Sequence, residues 1–182
     1  MQPQTETHKM PLTLRVESSA FGANGSIPIQ FTADGDDIMP PLKWSAGPPG
    51  TKSFAIIVDD PDAPDPEAPQ RTWIHCVITG IAPNMTSLPS GTSLPDGAVF
   101  GTNDWGKRAW GGPNPPIGRH RYFFKLYALD IALGSPGITK LELLAAMKGH
   151  ILAQGELIGT YEKPAERRSA QHGHERSTHG HR

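Results

Sequence analysis

Two histidines and one tyrosine are the side chains of this sequence best suited to binding an anion. A two-residue strand period places Trp73, His75 and Val77 on one face of a strand. His120 and Tyr122 follow a loop rich in glycine and proline and also share one face of a strand. Imidazole and phenol groups donate hydrogen bonds, and an imidazolium adds positive charge near about pH 6.5. The pattern indicates an oxyanion receptor, although a lone histidine in a strand is more often a hydrogen-bonded core residue.

Acidic residues end another buried strand pattern, over residues 54–60. Strand alternation places Asp60 on the face opposite Asp59, and Asp62 lies on the same side as Asp60 if the chain stays extended. A carboxylate beside a bound anion must be protonated, orient an imidazole or receive a ligand amine, and Asp60 suits all three roles. An ordinary strand-ending turn also explains this cluster, because Asp and Pro are common turn residues.

The loop before His120 contains Gly112 and Pro113. A glycine lets the backbone approach a ligand closely, and prolines hold a loop stiff. A rigid turn that leads into an aromatic core strand is the alternative interpretation, and it explains Phe123 and Phe124 well. It explains the pair of His120 and Tyr122 less well.

A catalytic site is the competing hypothesis for these residues. A hydrolase or a lyase could use His75 and His120 as acid and base. The sequence shows no convincing nucleophile for such chemistry and no set of metal ligands. It contains a single cysteine, Cys76, and no phosphate-cradling or dinucleotide-binding glycine motif. We therefore expect a non-enzymatic protein that needs no cofactor and no metal.

Composition restricts the kind of partner. With 17 basic and 18 acidic residues the formal net charge is −1, so no overall positive field attracts nucleic acid. The N-terminal residues lack the apolar run of a secretory signal, and no stretch approaches the roughly 20 apolar residues of a membrane span. We expect a cytoplasmic protein that binds neither nucleic acid nor a membrane interior.

The elements that must position these residues are mostly strands. Short apolar stretches bounded by Gly, Pro, Asn or Asp predict an all-β, two-sheet sandwich. The predicted strands begin near residue 12 and continue at 27–32, 42–45, 53–59, 72–80, 121–130 and 151–161. Thr139 and Glu142 form a capping-box pattern that predicts one short helix, which ends near Gly149.

The polar ends of the chain differ from the region between them. We expect a flexible N-terminus over residues 1–11, one domain over 12–163 and a disordered, histidine-rich tail over 164–182. The tail histidines have no preformed geometry for a metal.

Three segments in order, DDPDAP (59–64), TWIHCV (72–77) and GGPNPPIGRHRYFFKLYALD (111–130), strongly resemble the phosphatidylethanolamine-binding protein family. The resemblance covers most of residues 12–161. The segments FTADGDDIMPPLKWS and HILAQGELIGTY are similar to the bacterial, Raf kinase inhibitor-like branch of that family.

This resemblance implies a sandwich of a large and a small sheet with an anion pocket at one end. The family's pocket residues match Asp60, His75, Gly112, Pro113, His120 and Tyr122, with Asp62 and Trp73 as supports. The implied ligand is a phosphate-type anion, such as phosphate, a phosphomonoester or a phospholipid headgroup. The resemblance further implies a kinase or protease as a regulated partner, a homodimer, and a cis bond between Ala63 and Pro64.

Overall fold

Two β-sheets packed face to face form the framework of the computed structural model, which describes residues 11–165. The elements in chain order are β1 (Leu12–Thr13), β2 (Val16–Glu17), β3 (Leu42–Trp44), β4 (Ser53–Ala63), β5 (Arg71–Ile81), β6 (Ser87–Leu88), β7 (Val99–Phe100), β8 (His120–Leu129), α1 (Lys140–Met147) and β9 (Ile151–Tyr161). The large sheet has the order β1-β9-β8-β4-β5-β7 and the small sheet the order β2-β3-β6. The predicted all-β, two-sheet sandwich is confirmed, and α1 is the short helix predicted near the C-terminus.

Residues 1–10 and 166–182 lie outside the described part of the chain, and with them nearly all of the expected N-terminal segment and histidine-rich tail. Within residues 11–165, no helix is long and apolar enough to cross a membrane.

The large sheet separates two hydrophobic clusters. On one face, alternate β4 residues Phe54, Ile56 and Val58 pack toward the small sheet. On the other face, Ala55 and Ile57 belong to the cluster that contains the buried residues of α1. Because β4 lies between β5 and β8 in the sheet, its apolar run is buried on both sides.

The helix begins as its sequence predicts. The side chain of Thr139 accepts a hydrogen bond from the Glu142 backbone N–H, and the Glu142 side chain accepts one from the Thr139 N–H. This capping box satisfies two of the N–H groups that a helix start leaves unpaired. Leu143 and Met147 face the core.

A buried carboxylate links the helix to the large sheet. Asp59 is 1% exposed and lies 2.9 Å from Nζ of Lys125 in β8 and 2.7 Å from Nζ of Lys140 in α1. Both ammonium groups bind the same oxygen, Oδ2, so a single acidic side chain joins β4, β8 and α1.

Two predicted strands differ from the structure. The first strand is two short ones, because Leu12 pairs with β9 in the large sheet whereas Val16 pairs with β3 in the small sheet. The strand predicted over 27–32 is wrong: Ile29–Phe31 is a 3-10 helix. Pro28 precedes it and has no N–H for a strand ladder, and the Thr32 N–H bonds back to the Ile29 carbonyl.

A β-bulge in β5 changes the faces predicted for its side chains. Cys76 pairs with Val58 and Ile74 with Asp59, so His75 is an extra residue opposite β4. Ile74 and Val77 consequently pack in the same cluster, on the helix side of the sheet. The prediction that Val77 shares a face with Trp73 and His75 is wrong, because simple alternation does not survive a bulge.

Candidate functional site

A cavity of about 240 Å³ opens where β4, β5 and β8 meet the loops at one end of the large sheet. Strand residues form its floor, and an aromatic side chain and several prolines from the loops form its walls. The lining residues are Asp60, Ala63, Pro64, Trp73, His75, Trp105, Asn114, Pro115, Pro116, His120 and Tyr122. The structure therefore brings together five of the predicted site residues: Asp60, Trp73, His75, His120 and Tyr122.

His120 is held by acceptors at both ring nitrogens. Its Nδ1 lies 2.5 Å from Oδ2 of Asp60, and its Nε2 lies 2.9 Å from the Ile117 carbonyl and 3.1 Å from the Pro64 carbonyl. Burial alone lowers the pKa of His120, but the hydrogen bond and charge of Asp60, together with the two carbonyls, raise it overall. Because all three partners accept, the ring is an imidazolium whose two N–H groups are both satisfied within the protein.

His75 is in the opposite state. Its Nδ1 lies 2.6 Å from the Gly111 carbonyl, which can only accept, so Nδ1 carries the ring proton. Burial lowers the pKa of His75, although the Gly111 carbonyl and the charges of Asp60, Asp59 and Asp37 oppose that effect. The neutral ring thus keeps a lone pair on Nε2, which has no hydrogen-bond partner among residues 11–165.

Two donors on side chains that line the cavity are also without a partner among residues 11–165. Within the described residues, the Tyr122 hydroxyl and the Trp73 indole N–H are buried and make no hydrogen bond. Burial raises the pKa of Tyr122, and the charge of Asp60 adds to this effect, so the phenol keeps its proton. Buried polar groups are nearly always hydrogen-bonded, so two unpaired donors on neighbouring side chains point to an acceptor from outside the described residues.

Asp62 supports the site from outside the cavity lining. Its carboxylate accepts hydrogen bonds from the backbone N–H, Nε and Nη2 of Arg121, at 2.9, 3.0 and 2.9 Å. These bonds to Arg121 lower the pKa of Asp62, although burial opposes them. The Asp62 N–H in turn donates to Oδ1 of Asp60 at 2.7 Å and fixes that carboxylate beside His120.

Gly112 and Pro113 also lie outside the lining. The Gly112 N–H donates to Oδ1 of Asp37 at 2.8 Å, and the Pro113 carbonyl accepts from the N–H of Ala33. A Cβ on residue 112 would lie 2.4 Å from that Asp37 oxygen and 2.6 Å from the Phe31 carbonyl oxygen. Gly112 therefore lets the backbone approach the segment around Asp37 closely. Its N–H group already has a hydrogen-bond partner, Asp37.

Sequence reasoning missed a second indole in the wall. Trp105 contacts His75 and Trp73 edge-on, with 5.2 Å between ring centroids in both pairs. Asn103 positions it, because its Oδ1 accepts from the Trp105 and Lys107 N–H groups while its Nδ2 donates to the Ala109 carbonyl. The turn signal available in the sequence was an asparagine, Asn103, followed closely by a glycine, Gly106. In the structure Gly106 has a positive φ.

Asn114, Pro115 and Pro116 complete the wall and come from the proline-rich loop that precedes β8. On the opposite wall, Ala63 and Pro64 are joined by a cis peptide bond, which confirms the prediction for this bond.

The assembled groups offer two hydrogen-bond donors, one lone-pair acceptor and a neutralised ion pair inside aromatic walls. The imidazolium of His120 and the carboxylate of Asp60 cancel each other's formal charge. In residues 11–165, no group of three or more His, Cys, Asp or Glu side chains is placed to hold a metal ion.

Comparison with known proteins gives consistent matches. The family model described as phosphatidylethanolamine-binding protein matches residues 17–162. A UPF0098 protein of Methanothermobacter thermautotrophicus is 46% identical over 155 residues, which cover 82% of this chain and 99% of the relative.

Solved structures agree with this match. A putative phosphatidylethanolamine-binding protein homologue from Chlamydia trachomatis is 40% identical, with a TM-score of 0.77 and coverage of 84% of this chain and 99% of that one. Escherichia coli YbcL, described as a member of the mammalian PEBP family, is 31% identical, with a TM-score of 0.74 and coverage of 83% and 99%.

Proposed function

Because this chain belongs to the phosphatidylethanolamine-binding protein family, we propose that it is a non-enzymatic binding protein whose cavity receives a phosphate-type anion. The ligand is phosphate, a phosphomonoester or the headgroup of a phospholipid. One observation carries the proposal: the Tyr122 hydroxyl and the Trp73 indole N–H are buried, lack a partner within residues 11–165 and belong to side chains that line the same cavity. Phosphoryl oxygens accept hydrogen bonds strongly, and two of them would satisfy both donors.

The charges in the cavity wall support a ligand with a low negative charge. His120 supplies a fixed positive charge in the cavity wall, but Asp60 balances it at a distance of 2.5 Å. Both N–H groups of His120 point to protein acceptors. His120 therefore acts on the ligand through the position it gives to Tyr122, whose ring stacks on it with 6.4 Å between centroids.

The hydrolase or lyase alternative needs His75 and His120 to exchange protons with a substrate. His75 has a free lone pair and could act as a base, but both N–H groups of His120 are occupied by Asp60 and backbone carbonyls. A general acid must be within hydrogen-bond reach of the leaving group, and breaking these bonds would cost the stability of the pair. The geometry therefore favours binding over turnover.

A titration of inorganic phosphate and phosphorylethanolamine, followed by calorimetry and by the NMR shifts of the histidines, tests the proposal. Wild-type protein should show saturable binding, and Tyr122→Phe should weaken it about tenfold because one donor is lost. Tyr127→Phe is the matched control, since Tyr127 lies in the same strand but outside the cavity lining. Binding that is equal in the two variants would contradict the placement of the ligand.

Regulation of a kinase or a protease is a further part of the proposal. A cavity for a phosphoryl group would also accept a phosphorylated side chain of a partner, so the two roles share one site. A partner retained by the wild type and released by competing phosphate supports this role. A partner that phosphate does not displace binds a different surface.

A further inference from the structure

The cavity residues provide two hydrogen-bond donors, from Tyr122 and Trp73, and one acceptor, Nε2 of His75. The acceptor restricts the chemistry of the ligand further, because only a ligand with a hydrogen-bond donor can pair with it. A phosphate ester with two ionised oxygens, or any sulfate ester, presents only acceptor atoms. Such a ligand satisfies Tyr122 and Trp73 but leaves Nε2 of His75 facing an oxygen lone pair. A ligand that keeps one P–OH group satisfies all three.

The tautomer of His75 is fixed by the protein. The Gly111 carbonyl lies 2.6 Å from Nδ1, and that bond requires the proton on Nδ1. His75 is 3% exposed, so water cannot readily solvate a charged ring. Its Nε2 therefore meets the ligand as an acceptor, and the ring becomes a donor only by taking a second proton against the penalty of burial.

The charged groups that act electrostatically on His75 do not favour a dianion. From β4 come the carboxylates of Asp59 and Asp60, and from the segment after the 3-10 helix comes that of Asp37. From β8 come His120, which is paired with Asp60, and the neutral phenol of Tyr122. Lys125 and Lys140 neutralise Asp59.

Resting on the function proposed above, we propose that this site selects a singly charged phosphomonoester that shares one proton with Nε2 of His75, and that it discriminates against aprotic anions of the same shape. The two unprotonated phosphoryl oxygens, which share the single negative charge, accept from the Tyr122 hydroxyl and the Trp73 indole. The remaining P–OH donates to Nε2 of His75. Lipid headgroups that are diesters lack this proton, so the preferred ligand is a monoester.

Methyl phosphate and methyl sulfate form a matched pair of probes. Below a phosphomonoester pKa of about 6, both carry one negative charge and have nearly the same shape, and only the phosphate has a hydroxyl. At about pH 5.5 we expect calorimetry of the wild type to give an affinity for methyl phosphate at least about tenfold higher than for methyl sulfate, because methyl sulfate leaves Nε2 of His75 unpaired.

Two variants separate the acceptor from the donors. In His75→Asn the side-chain amide can still donate to the Gly111 carbonyl, but the Nε2 acceptor is removed, so the affinities of the two esters should converge to within about threefold. In Tyr122→Phe both affinities should fall by a similar factor and their ratio should persist. A ratio that persists in His75→Asn would overturn the inference.

The pH profile gives an independent readout. Methyl sulfate does not take up a proton near neutral pH, so any rise in its affinity toward low pH reports protonation of the protein, chiefly of His75. Methyl phosphate affinity should fall as the ester loses its proton above about pH 6.

Equal affinities of the wild type for the two esters would overturn this inference and leave the binding function standing. Failure of methyl phosphate, inorganic phosphate and phosphorylethanolamine alike to bind would overturn the binding function and this inference with it.

Discussion

Nδ1 of His120 lies 2.5 Å from Oδ2 of Asp60, and both side chains are almost fully buried, at 1% and 4% exposure. Removing one partner of a buried ion pair leaves the other uncompensated. We expect Asp60→Asn to lower the free energy of unfolding by about 3 kcal/mol, measured by urea denaturation. Asp36→Asn, an exposed acidic control, should change it by less than about 0.5 kcal/mol. Equal effects of the two substitutions would contradict the assigned pair.

The two histidines should contribute to the pH dependence of stability with opposite sign. The folded pKa of His120 is raised, so its stabilisation is complete below the unfolded value of about 6.5 and is lost as pH rises through the folded value. The folded pKa of His75 is lowered, so its stabilisation is present above about 6.5 and is lost as pH falls through the folded value.

Together these two groups place a maximum of stability near about pH 6.5. Urea titrations from about pH 5 to about pH 9 measure it. His75→Asn should flatten the acidic side of the curve, and Asp60→Asn the alkaline side, because each removes the cause of one shift. An acidic side unchanged in His75→Asn would refute the neutral state assigned to that ring.

The unpaired hydroxyl of Tyr122 should lower the stability of the free protein while it strengthens the binding of phosphate. Without ligand, the buried hydroxyl has lost its water and gained no partner within residues 11–165. Tyr122→Phe should therefore leave the free protein equally stable, or more stable by up to about 1 kcal/mol, while it weakens phosphate binding. Thermal denaturation with and without phosphate measures both effects. Marked destabilisation of the free variant would mean that the hydroxyl has a protein partner.

Gly112 should tolerate no side chain. An alanine Cβ there would clash with Oδ1 of Asp37 and with the backbone oxygen of Phe31. Gly112→Ala should cost about 2 kcal/mol of stability or more, because a backbone atom cannot rotate away. Gly22→Ala is the control, since nothing lies within 4 Å of the added carbon, and it should cost less than about 0.5 kcal/mol. Chemical denaturation of both variants measures the difference between these two losses of stability.

The two lysines that share Asp59 should behave non-additively. Either Lys125→Met or Lys140→Met leaves one ammonium on the carboxylate, so each should cost about 1 kcal/mol or less. The double variant leaves a buried carboxylate without a counter-charge and should cost about 3 kcal/mol or more. A double-mutant cycle in urea measures the coupling. Purely additive costs would show that neither lysine compensates for the loss of the other at Asp59.

The sandwich and its helix were predictable because the sequence patterns that indicate them each lie within a short segment of the chain. A continuous apolar run in β4 and alternating apolar residues in β8 and β9 mark buried or half-buried strands wherever the partners lie. The capping box of Thr139 and Glu142 is contained in four consecutive residues. The 3-10 helix after Pro28 was missed, because a run that is apolar and short has no periodicity to distinguish strand from turn.

The types of residue in the site were predictable from the sequence, but their strand pairing and hydrogen-bond partners were not. A bulge at His75 depends on how β5 pairs with β4, which no pattern within β5 reveals. The carboxylate that occupies the Gly112 N–H comes from Asp37, 75 residues earlier in the chain. The neutral and charged states of His75 and His120 likewise follow from carbonyls and a carboxylate that only the folded chain brings near.

The position of Cys76 has a practical consequence for labelling this protein. The thiol is fully buried between the sheets, and burial raises its pKa, so little reactive thiolate forms at neutral pH. It is also the only cysteine in the chain. A cysteine introduced at Ile117, which is 53% exposed and next to the His120 site, would therefore react alone with a maleimide dye. The buried Cys76 would therefore contribute no background label to a fluorescent reporter attached beside His120.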